Sequence, residues 1–280
     1  MNSNDKANKL INLCDKYKEY LQSGASYTSA LAVSDALGDY GLKLHAAALS
    51  MYINGGDGAC SFELPEPWAS STCYLTQSPP GDAKPLDIWF DPFELSFMVR
   101  TVNPLGYGKA VIGWVSISPV YYWQYHVFQL LVKFKERDSS FLDVNDLLAS
   151  RPFGIDKWDY ASDVYHEEAS AYAFWHGKWV SSSIRGEAIV ELLSLEQSGI
   201  IFPEGMSYWD ASFSGTEDSR SVFRCSKGKS IDNFYTGEWD RSPDIGFITV
   251  ITDQVGLIST DVLPRESGEC LALLNCSRKV

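Results

Sequence analysis

Leu10, Leu13, Tyr17 and Leu21 recur at spacings of three and four, which places them on one face of a helix over residues 5–22. Gly24 follows as a stop. Ser26 then offers an N-cap to a second helix running to Leu37 and closed by Gly38. Residues 42–53, LKLHAAALSMYI, fit either a helix or a strand, and the alanine run favours helix. From 54 to 85 the pattern dissolves into NGGDGAC, LPEPW and SPPGDAKP, which is loop text and the natural place for a boundary.

Beyond it the period changes. LSFMVRTV at 95–102 and KAVIGWVSIS at 109–118 flank the turn-rich NPLGYG and predict a β-hairpin. Phe128, Leu130, Val132 and Phe134 alternate with polar residues, which predicts a strand; Ser118-Pro119 supports a rival helix from Val120. Helices are expected at 143–149, 162–179 and 187–198, with a strand starting at Gly199 and ending before Pro203. Further strands are expected at 220–225, 245–252, 255–260 and 270–275. Strands and helices come in blocks without regular βαβ alternation. The expected class is therefore α+β, mainly antiparallel sheet with segregated helices and an N-terminal helical segment. The expected organisation is a helical segment 1–53, a loop region 54–85 and a main domain 86–280, with a single domain over 1–280 also allowed by the length.

One stretch tests the membrane question. Residues 110–132 carry no Asp, Glu, Lys or Arg. Pro119 sits in their middle, and Gln124, His126 and Gln129 follow, with aromatic residues at the centre where a span would be aliphatic. Two buried strands joined near Pro119 are expected, and no membrane association.

Charge narrows the partners. The chain has 36 Asp plus Glu against 23 Lys plus Arg, a net charge of -13. Such a surface repels phosphate backbones, and no basic run offsets it, so a nucleic-acid partner is not expected. A basic protein partner is. Six cysteines lie at 14, 60, 73, 225, 270 and 276 without C-x-x-C spacing, and the N-terminus lacks the apolar core of a signal peptide. Reduced thiols in a soluble, cytoplasmic protein are the simplest account.

No catalytic signature is complete. Gly228-Lys229-Ser230 resembles the end of a phosphate loop, but Phe223 stands where the leading glycine belongs, so a surface turn is expected. His166-Glu167 opens a zinc-protease pattern, yet the second ligand position is Ser170. His176 is ten residues from His166 and points elsewhere around a helix. No metal and no cofactor are expected. Asp87, Asp91 and Glu94 form a carboxylate cluster suited to acid-base work, with His166 the weak candidates for catalysis. Asp82-Ala83-Lys84 has an acid and a lysine at nuclease spacing, but in a Pro-rich loop. Cys60 and Cys73, with His45 or His126 nearby in space, would make a thiol nucleophile; ordinary buried cysteines are the plainer account. Trp-Asp occurs at 158, 209 and 239, at spacings that no propeller repeat has. Trp209-Asp210 and Trp239-Asp240 lie in Ser/Gly-rich, loop-like text and are the candidate binding residues.

The leading expectation is a non-enzymatic, acidic, aromatic-rich protein-binding module, an inhibitor or immunity-type antidote that sequesters a basic protein. The first alternative is a hydrolase using the carboxylate and histidine candidates, with or without a divalent metal. The second is a carbohydrate-binding protein using the Trp-Asp loops.

Overall fold

The computed structural model describes residues 3–55, 64, 68–102, 112–132, 160–180, 207–213, 219–226, 229–237 and 245–252. The chain opens with three helices, α1 (Ser3–Gln22), α2 (Tyr27–Tyr40) and α3 (Lys43–Ile53). Strands β1 (Cys73–Tyr74), β2 (Ile88–Asp91), β3 (Ser96–Val102) and β4 (Ile112–Ser116) follow, then α4 (Tyr122–Leu131), α5 (His166–Trp175) and β5 (Trp179–Val180). The remainder is β6 (Ser207–Phe213), β7 (Ser219–Ser226), β8 (Lys229–Gly237), β9 (Ile245–Gly246) and β10 (Thr249–Thr252). The class is α+β. A six-stranded sheet runs β1-β2-β3-β4-β10-β5, antiparallel except for the parallel β1–β2 pair. A four-stranded sheet runs β8-β7-β6-β9.

The N-terminal helices form as their pattern dictates. Leu10, Leu13 and Tyr17 are buried along α1, joined by Tyr20. The Ser26 side chain accepts the Ser29 N–H and starts α2. Gly38 does not end that helix; it lies within it, and a Cβ there would meet Ala46 of α3 at an ordinary 3.9 Å. The stop is Gly41, at φ 112°, where the Gly41 and Leu42 amides bond back to Gly38 and Leu37. Residues 43–53 are helical.

The sheet bears out the hairpin at β3 and β4, with Val99 opposite Val115 and Arg100 opposite Trp114. The strand expected over 128–134 is overturned as far as residue 131, with 133–134 outside the described residues, and so is the reading of 110–132 as two strands: β4 precedes Pro119, and α4 follows it. Every residue from Tyr122 to Phe128 is buried. A helix buried on all sides has no single apolar stripe, so a short window of it passes for alternation. Gln124 fixes its start by accepting the Tyr121 N–H at 2.7 Å. Among the described residues no helix is long and apolar enough to cross a membrane.

Other boundaries shift for local reasons. The helix expected over 162–179 is confined to His166–Trp175. Glu168 accepts the Tyr165 N–H at its start, and Gly177, at φ 71°, turns the chain at its end. The loop region 54–85 contains β1, which pairs with β2. The strand expected over 245–252 is two short strands in different sheets, broken at Phe247 and Ile248. SYWDASF, read as loop text, is the strand β6, and KSIDNFYTG forms β8. The elements expected at 143–149, 187–198, 199–203, 255–260 and 270–275 lie outside the described residues.

The helical layer and the sheet share one core. Leu13, Tyr17, Val33, Leu37 and Leu49 cluster with Ile88, Phe90, Phe97, Val99 and Val250. A second cluster joins α4 and α5 through Phe128, Ala169 and Tyr172 to Phe247. Cys14 and Cys73 are buried and not joined in a disulfide. Burial, and secondarily the charge of Asp15, pushes the Cys14 thiol up to about 12. Neither thiol should react with a disulfide reagent in the native protein, and both should react on unfolding. Rapid native modification of Cys14 would contradict the packing of α1.

Candidate functional site

The β2–β3 connection is the short loop Pro92–Leu95, closed by the pair Asp91 and Ser96. Asp-Pro is a turn-initiating pair. The Asp91 carboxylate accepts the Phe93 N–H at 2.8 Å and the Glu94 N–H at 3.2 Å. Leu95 completes the loop at φ 57°, a left-handed conformation that costs a bulky residue roughly 1–2 kcal/mol. It is fully buried, so the core holds it there.

Two layers grip this loop. Tyr17 and Tyr20 of α1 donate to the carbonyls of Phe93 and Pro92 at 3.1 and 2.7 Å. Gln124 of α4 donates to the Glu94 carbonyl at 2.7 Å. The Glu94 side chain accepts from Ser96 at 2.6 Å, with the Thr249 hydroxyl at 3.4 Å. Lys178 supplies the cation. Its ammonium lies 2.6 Å from Asp91, bonds Glu94 directly, and sits 6.0 Å from the Trp89 ring centre.

Lys178 gets there through the end of α5. The Gly177 amide bonds to the Phe174 carbonyl and the Lys178 amide to the Ala173 carbonyl, a Schellman ending that reverses the chain into β5. In a flat sheet β5 and β2 would be about 19 Å apart, four spacings of about 4.8 Å. The 2.6 Å ion pair therefore requires this end of the sheet to curl over on itself. Asp91, Glu94 and Lys178 are all buried, at 4%, 1% and 1% exposure. Burial alone would push the Lys178 ammonium down, but Asp91 and Glu94 more than offset it and hold its pKa above the usual value. A lysine kept charged and paired is a poor nucleophile and a poor base. The arrangement is suited to clamping the loop against α1, α4 and α5.

The structure therefore unites Asp91 and Glu94 and leaves Asp87 apart, at the opposite end of β2. Asp87 staples the preceding turn, accepting from the Lys84 amide at 2.7 Å, the Thr72 amide at 3.4 Å and the Tyr74 hydroxyl at 3.3 Å. Asp82 and Lys84 lie in that turn region, not on a strand. His166 is the first residue of α5 and His176 its cap, so about 15 Å of helix separates them at 1.5 Å per residue. Among the described residues no three His, Cys, Asp or Glu side chains group to hold a metal ion. His45 is packed between the rings of Phe97 and Tyr121, at 5.0 and 5.8 Å. His126 stacks on Tyr122. Trp209 and Asp210 lie on β6, with Trp209 opposite Val222. Trp239, Asp240, Trp158 and Cys60 lie outside the described residues. Ser226 pairs with Lys229, so Lys229 and Ser230 begin a strand where a phosphate loop would begin a helix.

Lys178 is the residue that sequence reasoning missed. Its signal was Gly177 followed by a lone lysine between Trp175 and Trp179: a helix stop that delivers one cation into aromatic surroundings.

The tyrosines around the clamp add a pH signature. Burial first, then the charge of Glu94, pushes the phenols of Tyr17 and Tyr172 well above their ordinary value. Tyr20 is raised by burial as well. A neutral phenol favoured by the fold stabilises it fully below about pH 10, and that contribution is lost as pH rises from there. The raised Lys178 acts in the same direction. Stability should fall steeply in the alkaline range, and ultraviolet titration should show a set of tyrosines that ionise only with unfolding. Smooth titration of every tyrosine near pH 10 in the folded protein would contradict this burial.

No protein-family model, curated protein or solved structure matches this chain. The site is read from its own geometry.

Proposed function

We propose that this protein is an acidic protein-binding module that sequesters a basic protein partner, as an inhibitor or antidote does. The observation that carries this reading is the charge of -13. The buried Asp, Glu, Lys and Arg among the described residues are Asp87, Asp91, Glu94 and Glu168 against Arg100 and Lys178, an excess of two acids. The described interior thus accounts for only a small part of the acidic excess. The clamp supports the same side: Asp91 and Glu94, the carboxylates a hydrolase would use, are engaged by Lys178, Ser96 and the backbone amides.

Partner capture from the cells that make the protein, followed by kinetics with the purified partner, tests the proposal. Exposed charges more than about 8 Å apart are screened at physiological salt. Association should slow as salt rises, while dissociation changes less. Trp209 and Trp239, each beside an aspartate, are the proposed anchors; truncating a true anchor to alanine should cost about 2 kcal/mol or more of binding. A salt-independent association rate, or Trp209→Ala and Trp239→Ala variants that lose stability yet bind normally, would end this reading.

A further inference from the structure

The large apolar side chains exposed among the described residues are Tyr27, Leu31, Phe93 and Leu130. Phe93 has ring partners in Trp175 and His176 at 5.5 and 5.0 Å. Tyr27 and Leu31 sit one turn apart on α2, at 55% and 37% exposure, and the Tyr27 hydroxyl donates to Asn54 at 3.3 Å. Asp35 and Asp39 continue the same spacing of four, and both are exposed. At 100° per residue these four positions sweep about 120° of the helix. The buried residues Ala30, Val33, Ala36 and Leu37 occupy the other side, against α1 and α3. One outward face therefore passes from apolar to acidic along its length.

The charge that α2 itself carries has one sign. No lysine or arginine occurs between Glu19 and Lys43, while Asp35 and Asp39 both fall there. Lys6 comes to the far end of α2, over the Tyr40 ring at 5.9 Å, away from the Tyr27 end. A second copy docking on this face by a two-fold axis would set Asp35 and Asp39 against Leu31 and Tyr27 when antiparallel, covering carboxylates without a counter-charge, or against each other when parallel, and both are unfavourable. A cationic segment meets no such obstacle. Its large apolar side chains would cover Tyr27 and Leu31 while its lysines or arginines meet Asp35 and Asp39, the arrangement of a helix or strand laid along an amphipathic surface.

We propose that the outward face of α2, Tyr27–Leu31–Asp35–Asp39, docks a cationic, amphipathic segment of a protein partner. This rests on the basic-partner reading above and locates it on the molecule. The probe is a labelled helical peptide of lysine and leucine, with oligolysine of equal charge as its comparison, titrated against the full chain by anisotropy. Wild type should bind the amphipathic peptide more tightly than oligolysine. Tyr27→Ser with Leu31→Ser should weaken the amphipathic peptide by about tenfold and oligolysine hardly at all, the loss expected of removing exposed anchors. The melting temperature should fall only slightly, because Tyr27 is more than half exposed and its bond to Asn54 lies at the surface. Asp35→Asn with Asp39→Asn should weaken both probes and flatten their salt dependence. Asp82→Asn, exposed in the turn before β2, should do neither.

Three results overturn the proposal in distinguishable ways. Equal losses per charge removed from Asp82→Asn and from the α2 aspartates mean diffuse acidity without a docking face, and leave the basic-partner reading standing. Failure of wild type to bind either probe removes support from both. A dimer in sedimentation that dissociates on Tyr27→Ser with Leu31→Ser assigns the face to self-association instead.

Discussion

Replacing Lys178 by methionine is expected to destabilise the protein by about 3–5 kcal/mol near neutral pH, the usual cost of stranding a buried charge. The methionine fits the volume but leaves Asp91 and Glu94 facing each other without a cation, in a site the solvent does not reach. Two results follow from the same physics. Lowering the pH should recover part of the loss, because protonating either carboxylate removes the repulsion. Combining Lys178→Met with Asp91→Asn and Glu94→Gln should recover more, since removing all the charges of a buried network is often close to neutral. Urea unfolding of the three proteins, wild type, Lys178→Met and the triple variant, across pH measures both. A Lys178→Met variant as stable as wild type would show that the clamp does not hold the β2–β3 loop. If Lys178→Met does not fold, the triple variant still decides: the clamp predicts that it folds.

The parts of this fold that were legible in the sequence are those where one local signal decides. Leu10, Leu13 and Tyr17 set the buried face of α1, and Ser26 caps α2, because both act within one turn of helix. The β3–β4 hairpin was legible for a similar reason: its strands are apolar and flank a turn-rich segment. What was not legible depends on distant partners. The text of β6 and β8 is rich in Ser, Asp and Asn, and only pairing with β7 makes strands of it. The segment after Pro119 carries two consistent local patterns, and burial against both core clusters selects the helix.

The candidate site divides along the same line. Asp91 and Glu94 were visible as a pair because they share one short loop, and the loop does bring them together. Their grouping with Asp87 assumed that closeness in sequence meant closeness of side chains, whereas the length of β2 intervenes and gives Asp87 a separate turn to staple. The cation between them comes from more than eighty residues downstream, with a separation of 84 to Glu94. Nothing in the sequence near Asp91 announces it. The Gly177 stop indicates where the helix ends, but only the curl of the sheet indicates what Lys178 reaches.

The acid limb of the stability curve should carry the signature of His45. His45 lies on α3 in an apolar cage, edge-on to Phe97 and Tyr121, and burial lowers its pKa to about 4 from an ordinary 6.5. The sign follows from where protons bind. Between these two values the unfolded chain takes up a proton on His45 and the folded chain does not. Folding is then penalised as pH falls, so the stability present above about 6.5 is lost progressively down to about 4. A shift of this size corresponds to about 3 kcal/mol, at 1.36 kcal/mol for each pH unit. His45→Leu removes the titration while keeping an apolar side chain in the cage. Its stability should therefore fall less than that of wild type over this window, by about 3 kcal/mol. Other groups that titrate in the same range act equally on both proteins, so the difference between the two curves isolates His45. The histidine can also be followed directly: its ring proton resonances should stay at their neutral positions down to about pH 5, as a pKa near 4 requires. Parallel acid limbs for His45→Leu and wild type, with a histidine resonance that titrates near 6.5, would place His45 in water and α3 in a different packing against β3.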